Sequence, residues 1–319
     1  MKHFFVVNPK PLLLQKNFDQ VLARIEAACT SLGADNYEIY VSRYPRDAVG
    51  VIQEKHKQMG GDALRVYAVG GDGILFDCLN GVAGTNFELT AIPYGAANDY
   101  LRNFGEDTPL QCREFAVLND GVIVNVDMFS CNLNYALNYC AVGIDGAGAL
   151  LGNNFYTIVK SSLPLICNYL RHCYELGTFV SFFNREVREQ HYILTIDDID
   201  YSGNYAGIFI ANGACFSCNK ISSHHAKPSS GHLNVILAKS APAAVTALRW
   251  GAFQQGKSSR HPEQFREIRA SRISIQSDTA ALHVCLDGEA FRESHLELEV
   301  HPAAVPFAIP NSIAQGGTL

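Results

Sequence analysis

The chain has 319 residues, a formal charge of −6, and 48% hydrophobic against 18% charged residues, the balance of a globular protein too long for one compact core. Net negative charge argues against wholesale binding to nucleic acid, whose phosphates need net attraction, while leaving room for a local basic patch to meet lipid. Lys2 and the short apolar run Phe4 to Val7 precede Asn8-Pro9-Lys10 and read as a first strand, too short for a secretory signal. The apolar stretch Leu163 to Phe183 carries Arg171, His172 and Glu175, so no transmembrane helix is expected there.

In the first 120 residues, β-rich runs alternate with helical patterns. His3 to Val7, Tyr37 to Val41, Leu64 to Val69 and Glu88 to Ile92 predict strands of a parallel sheet. Between the first two, Phe18, Val21, Leu22, Ile25, Cys29 and Leu32 recur at helical spacing, with Asn17 placed to cap and Gly33 to terminate. Open α/β sheets bind ligands outside the carboxyl ends of their strands, so the loops after strands one, three and four are expected to converge.

From about residue 123 the pattern turns to period-two strands, including Tyr192 to Ile196, Gly207 to Ala211, Leu233 to Leu237 and Leu296 to Val300, which predicts an antiparallel sheet or sandwich. Helices are expected near 155–176 and after Ser240-Ala241-Pro242, with Ser240 as cap and Pro242 in the first turn. The expected organisation is an α/β domain over 1–122 and a β-rich domain over 123–302, with the tail from about 303 to 319 packing back on the first.

Ten cysteines lie mostly inside apolar runs, the pattern of packed, reduced thiols in a cytosolic protein. Cys215-Phe216-Ser217-Cys218, with His224 and His225 following, has metal or redox spacing, but no second CxxC accompanies it and structural thiols are the simpler reading.

Three strings carry chemistry. Arg65 to Val69 runs straight into Gly70-Gly71-Asp72-Gly73 and then a helical run from Leu75. Glycines there let main-chain amides approach an anion, and the helix N-terminus adds partial positive charge. Alone, the string is equally a tight strand-to-helix turn. After the fourth strand comes Pro93-Tyr94-Gly95-Ala96-Ala97-Asn98-Asp99-Tyr100-Leu101-Arg102. In it Gly95 permits close approach, Asn98 and Asp99 suit a ribose, a phosphate-bound water or Mg2+, and Arg102 suits phosphate. The third is Asp287-Gly288-Glu289, two carboxylates around a glycine, which by itself also fits a hairpin turn.

With Asn8-Pro9, Asp127 and Gly143-Ile144-Asp145-Gly146 in order between them, these strings resemble the diacylglycerol kinase catalytic family, which includes bacterial lipid kinases and is related to sphingosine, ceramide and NAD kinases. The resemblance spans nearly the whole chain. It implies a nucleotide cleft between the two domains and ATP with Mg2+ as cofactors. The nucleotide site it implies comprises Asn8, Pro9, Lys10, Gly70, Gly71, Asp72, Gly73, Gly95, Asn98, Asp99, Arg102, Asp287 and Gly288. Phosphoryl transfer needs positioning, charge neutralisation and a carboxylate to take the hydroxyl proton. The resemblance implies Glu289 or Asp72 for that role; Glu289 is taken as the base, and Asp72 with Asp99 as the metal side. It further implies a lipid substrate at a membrane surface, a place in phospholipid metabolism, a cytoplasmic protein peripheral to the inner membrane face, and a homodimer.

The chain departs from the family at several points. Lys10-Pro11-Leu12 follows Asn8-Pro9 where the family has small residues, so an amide donor is lost and Lys10 is left to compensate by charge. Ile74 and Ala96 replace threonines, and Ser230-Gly231-His232-Leu233-Asn234 lacks both carboxylates of a structural Mg2+ site found in some bacterial members. A catalytically impaired nucleotide- or lipid-binding protein, and a soluble-substrate kinase of NAD kinase type, are therefore the competing readings. For membrane docking, residues 249–272 hold Arg249, Lys257, Arg260, Arg266, Arg269 and Arg272 against Glu263 and Glu267, with Trp250 and Phe253 either inserting or packing.

Overall fold

The computed structural model describes residues 1–30, 33–162, 173–217, 220–277 and 281–314. Its chain divides into two compact units, one holding Met1–Met128 and the chain from Pro302, the other Phe129–Phe216 and Lys220–His301.

In the first unit β1 (Lys2–Val7), α1 (Pro9–Leu14), α2 (Phe18–Cys29), β2 (Tyr37–Val41), α3 (Asp47–Met59), β3 (Leu64–Gly70), α4 (Asp72–Val82) and β4 (Glu88–Pro93) follow one another as β/α repeats. Three short helices, α5 (Asp99–Arg102), α6 (Thr108–Gln111) and α7 (Phe115–Asn119), lead into β5 (Val122–Cys131). The sheet order is β2-β1-β3-β4, all parallel, and every residue of β3 is buried, as a central strand covered on both faces requires. Val7 pairs with both Val41 and Val69, and Gly70 pairs with Pro93, so the carboxyl ends of the four strands lie level and the loops that follow them start side by side. Val21, Ile25 and Cys29 form the buried face of α2. Asn17 stands at the N-cap position of that helix but makes no cap bond; its amide instead reaches Gln15 Oε1 at 3.4 Å. The helix closes at Thr30, and Leu32 lies outside the described residues.

The second unit is antiparallel. It comprises β6 (Asn134–Ala136), β7 (Tyr139–Gly143), α8 (Ile144–Ser162), α9 (Cys173–Phe183), α10 (Arg185–Arg188), β8 (Gln190–Ile196), β9 (Ile199–Asp200), β10 (Gly203–Ala211), β11 (Cys215–Phe216), β12 (Lys220–Ile221), β13 (Leu233–Lys239), α11 (Ala243–Phe253), β14 (Phe265–Ala270), β15 (Arg272–Gln276), β16 (Leu282–Leu286) and β17 (Glu289–Glu293). The long β18 (His295–Ile309) begins in this unit beside β15 and ends in the first, where Phe307 pairs in parallel with Leu89 of β4; α12 (Asn311–Ala314) follows. The order β17-β16-β7-β10-β8-β15-β18 runs through the sheet, and β13 joins β10 to β14.

The helices of this unit differ from expectation. α8 starts directly after Gly143, eleven residues before the expected 155 start, and Cys167, Arg171 and His172 lie outside the described residues. α11 starts at Ala243 with Pro242 as its N-cap residue, because Ser240 is drawn away: its hydroxyl donates to the Arg188 carbonyl at 2.8 Å. Trp250 and Phe253 pack in the aromatic core with Phe209, Phe216 and Phe265, 3% and 1% exposed, so neither is a surface anchor. No described helix is long and apolar enough to cross a membrane.

Candidate active site

The loop after β1 turns at once into a helix. Asn8 is its N-cap, with Oδ1 accepting the Lys10 amide at 3.1 Å, and Pro9 takes the first helical position, where a missing N–H costs nothing. Lys10 is exposed on that first turn. The Asn8 amide donates to the Val69 carbonyl at 2.9 Å, which ties this loop to the end of β3.

Gly70, at φ +153°, ends β3, and Gly71 stands as N-cap of α4 without a side-chain cap. The loop after β4 leans directly on it. The amides of Tyr94 and Gly95 both donate to the Gly70 carbonyl, at 2.6 and 2.9 Å. A β-carbon on Gly71 would stand 3.0 Å from Gly95 Cα, and one on Gly95 would stand closer still to Gly71 Cα. Two glycine loops thus meet backbone to backbone, a cradle that side chains would fill.

Asn98 locks the second loop: Oδ1 accepts the Gly95 amide at 3.1 Å and Nδ2 donates to the Gly95 carbonyl at 2.9 Å, while the residue itself adopts the left-handed region at φ +52°. Asp72 faces the start of α5, its carboxylate accepting the Tyr100 amide at 3.4 Å. Burial lifts this carboxyl above the usual carboxylate range, against the opposing pull of the Asp99, Tyr100 and Asn98 amides. Asp99 is buried beside it, and Arg102 directs Nε to the Ala97 carbonyl at 3.2 Å. Further along α4, buried Asp77 accepts the Arg46 amide at 2.9 Å, and burial raises its carboxyl also.

In the second unit Asp287 and Gly288, at φ +46° and +92°, form the two-residue turn between β16 and β17. The Asp287 carboxylate is engaged by the main chain: Oδ2 accepts Leu137 N at 2.8 Å, and Oδ1 accepts Asn138 N at 3.0 Å and Tyr139 N at 2.8 Å. Through these bonds both oxygens hold the start of β7. Its place is to position the turn. Glu289, exposed, follows as the first residue of β17.

Asp127 accepts the Ala303 amide at 2.8 Å, fixing β18 where Ala303 turns to φ +51°. Among the described residues no group of three or more His, Cys, Asp or Glu side chains is placed to hold a metal ion. The Asp72 carboxylate accepts the Asp99 amide, so two acidic residues adjoin at the start of α5, too few for a free ion's full donor set and suited only to Mg2+ carried in on phosphates. Of the thiols, Cys29 is pushed up to about 11 and Cys112 and Cys285 to about 12 by burial, as structural thiols are; Cys215 is half-buried, and Cys218 lies outside the described residues.

Sequence reasoning passed over the loop after β2, Ser42-Arg43-Tyr44-Pro45-Arg46, although it leaves the same sheet edge. Its signal was present in two arginines around an aromatic residue directly after a strand.

A parallel α/β unit with paired glycine loops and a second, antiparallel β unit define the architecture shared by diacylglycerol kinases and their lipid kinase relatives. Residues 2–131 match the diacylglycerol kinase catalytic domain, and residues 172–309 match the YegS C-terminal NAD kinase beta sandwich-like domain. The chain belongs to the diacylglycerol kinase catalytic-domain family. Proteins named "putative lipid kinase" from Staphylococcus aureus strains Mu3 and Newman are each 23% identical to it over 318 residues, covering 93% of this chain and 94% of their own. The crystal structure of a "putative diacylglycerol kinase" from Bacillus anthracis str. Sterne shares its fold with a TM-score of 0.72 at 21% identity, covering 98% of both chains. A diacylglycerol kinase structure from the same organism aligns with a TM-score of 0.67 at 18% identity over the same share.

Proposed function

We propose that this protein is an ATP-dependent lipid kinase that phosphorylates a hydroxyl of diacylglycerol or a related lipid. The observation that carries the reading is the backbone-to-backbone contact of Gly71 with Gly95 at the N-terminus of α4, where Gly71 has no side-chain cap and no β-carbon stands in the way of an anion. ATP supplies the phosphoryl group, with Mg2+ screening its charge. The amides around Gly70 to Gly73 hold the phosphates, Gly95 keeps the second loop clear of a β-carbon beside them, Lys10 and Arg102 balance their charge, and Asp72 and Asp99 orient the metal or its waters. Asn8 and Asn98 keep the two loops in shape through their bonds to Lys10 N and Gly95. Glu289 takes the proton of the lipid hydroxyl, and Asp287 and Gly288 set its position through the turn that precedes it.

The membrane side of this reading has support in α9. Leu176, Phe179, Val180 and Phe183 face outward at 47–62% exposure, while Gly177, Thr178 and Ser181 face inward. That arrangement inverts the usual amphipathic helix and is possible because the helices touch through small residues: a β-carbon on Gly177 would strike the Gly148 carbonyl of α8. We assign the peripheral membrane contact to this face. In the 249–272 stretch, by contrast, Arg249 pairs with Glu263 at 3.0 Å and Arg272 with Asp198 at 3.0 Å, which lowers its value as a cationic patch.

Purified protein incubated with labelled Mg·ATP and a panel of diacylglycerol, sphingoid bases, phosphatidylglycerol and NAD tests the assignment. Transfer to a lipid is expected, and Glu289→Gln is expected to abolish it while leaving ATP affinity within about twofold. Transfer to NAD alone would favour the soluble-substrate kinase. ATP binding without transfer to any acceptor would favour the impaired member, the reading that Ile74 and Ala96 support by removing two hydroxyls.

A further inference from the structure

The loop after β2 carries an arginine in a conformation that glycine would adopt more comfortably. Arg46 stands at φ +68°, the left-handed region, where a β-carbon crowds the following carbonyl oxygen. The strain is held in place from several sides. The Arg46 amide donates to buried Asp77 Oδ2 at 2.9 Å; the next residue, Asp47, accepts the Tyr40 hydroxyl at 2.6 Å and the Arg43 amide at 2.9 Å; and the Ser42 amide donates to the Val7 carbonyl at 2.9 Å. The turn is therefore fastened both to β1 and to α4.

Its side chain is exposed, and its guanidinium lies 5.0 Å over the ring of Phe76 in the second turn of α4. Helical side chains lean toward the helix N-terminus, so the Phe76 ring, and the cation on it, lie toward the first turn. That turn begins at Gly71-Asp72. A polyphosphate held at that turn would concentrate negative charge beside this cation. A strained residue that persists because its surroundings over-determine it points to a role for the side chain it presents.

We infer that Arg46 is an electrostatic positioning residue for the nucleotide, supplying a fixed cation on the flank of α4 that offsets phosphate charge at the Gly70–Gly73 loop. This rests on the proposal that the loop binds ATP phosphates. The competing role is structural, with the guanidinium serving only to balance Asp77.

Arg46→Gly separates the two. Glycine keeps the amide that Asp77 accepts and relieves the backbone strain, so the variant is expected to melt no lower than the parent. Calorimetric titration with Mg·ATP and with adenosine is the readout. ATP affinity is expected to fall about tenfold or more, the weight of a charge-assisted contact, with adenosine affinity unchanged, ATP binding less dependent on salt, and Arg46→Lys recovering most of the loss. Equal ATP affinity in parent and Arg46→Gly overturns the inference and leaves the loop assignment standing. A parallel fall for ATP and adenosine together with a lower melting temperature also overturns it, in favour of the structural role. Failure of the parent protein to bind Mg·ATP at all overturns the loop assignment and this inference with it.

Discussion

Gly71 and Gly95 approach until neither has room for a β-carbon against the other's Cα. Two strands that pair in parallel, β3 and β4, therefore end in loops that touch through main chain alone. Gly95→Ala forces them apart. The expected cost is about 1–3 kcal/mol of stability, typical of an overpacked site, with a loss of ATP affinity of at least tenfold. Urea unfolding together with ATP titration measures both, and unchanged ATP affinity in a folded variant would show that the cradle is not where phosphate sits.

Asp287 joins the β16–β17 turn to residues about 150 positions earlier in the chain, through three main-chain amides. Asp287→Ala leaves those donors without their acceptor. A loss of about 1.5–3 kcal/mol is expected in chemical denaturation, accompanied by a fall in turnover because Glu289 loses its anchor. A variant with parental stability would mean that water or another group replaces the carboxylate at no cost.

His3 is buried at the start of β1, with Nδ1 3.0 Å from the Tyr67 hydroxyl. Burial, then the charges of Arg65 and the N-terminal amino group, lower its pKa from 6.5 to about 4. The folded state thus binds fewer protons than the unfolded state between these values, so this contribution is complete above pH 6.5 and is lost as pH falls toward 4. Its size is of order 3 kcal/mol. Stability curves of the parent and His3→Gln are expected to converge as pH drops through that window; parallel curves would rule out His3 as the source.

On α9, Phe179 and Phe183 are 55% and 62% exposed. Replacing either with serine is expected to change stability by no more than about 0.5 kcal/mol, as at other surface positions. Each is expected to weaken co-sedimentation with phosphatidylcholine vesicles by about tenfold, since burying a phenyl ring is worth about 1.5–3 kcal/mol. Little dependence on salt should accompany this. Vesicle binding that survives in both variants but vanishes at high salt would return the contact to the basic stretch.

The strands of the first unit were legible because a parallel sheet covered on both faces demands continuous apolar runs, and Leu64 to Val69 has one. The glycine strings were legible for a similar reason: only glycine admits such close approach, and it leaves a mark in composition. Ser240, Asn17 and the start of α8 were not, because a cap is decided by which partner competes for the side chain, as Arg188 does for Ser240. The outward apolar face of α9 was hidden as well. Periodicity identifies a stripe of Leu176, Phe179, Val180 and Phe183 but not the side it turns to, which depends on Gly148 and Gly177 meeting.

By itself, then, the amino-acid sequence determined the family, the α/β and β-rich character of the two parts, and the residue types available for phosphate and proton transfer. Those properties follow from local periodicity and from residues whose chemistry nothing else replaces. Tertiary structure alone decided which polar groups are already taken. The Asp287 oxygens belong to the backbone at Leu137 to Tyr139, the Asp72 carboxylate to the start of α5, and the Arg46 turn to Asp77. Each of these pairs is far apart along the chain, and hydrogen bonds are assigned by distance in space, which local sequence does not encode.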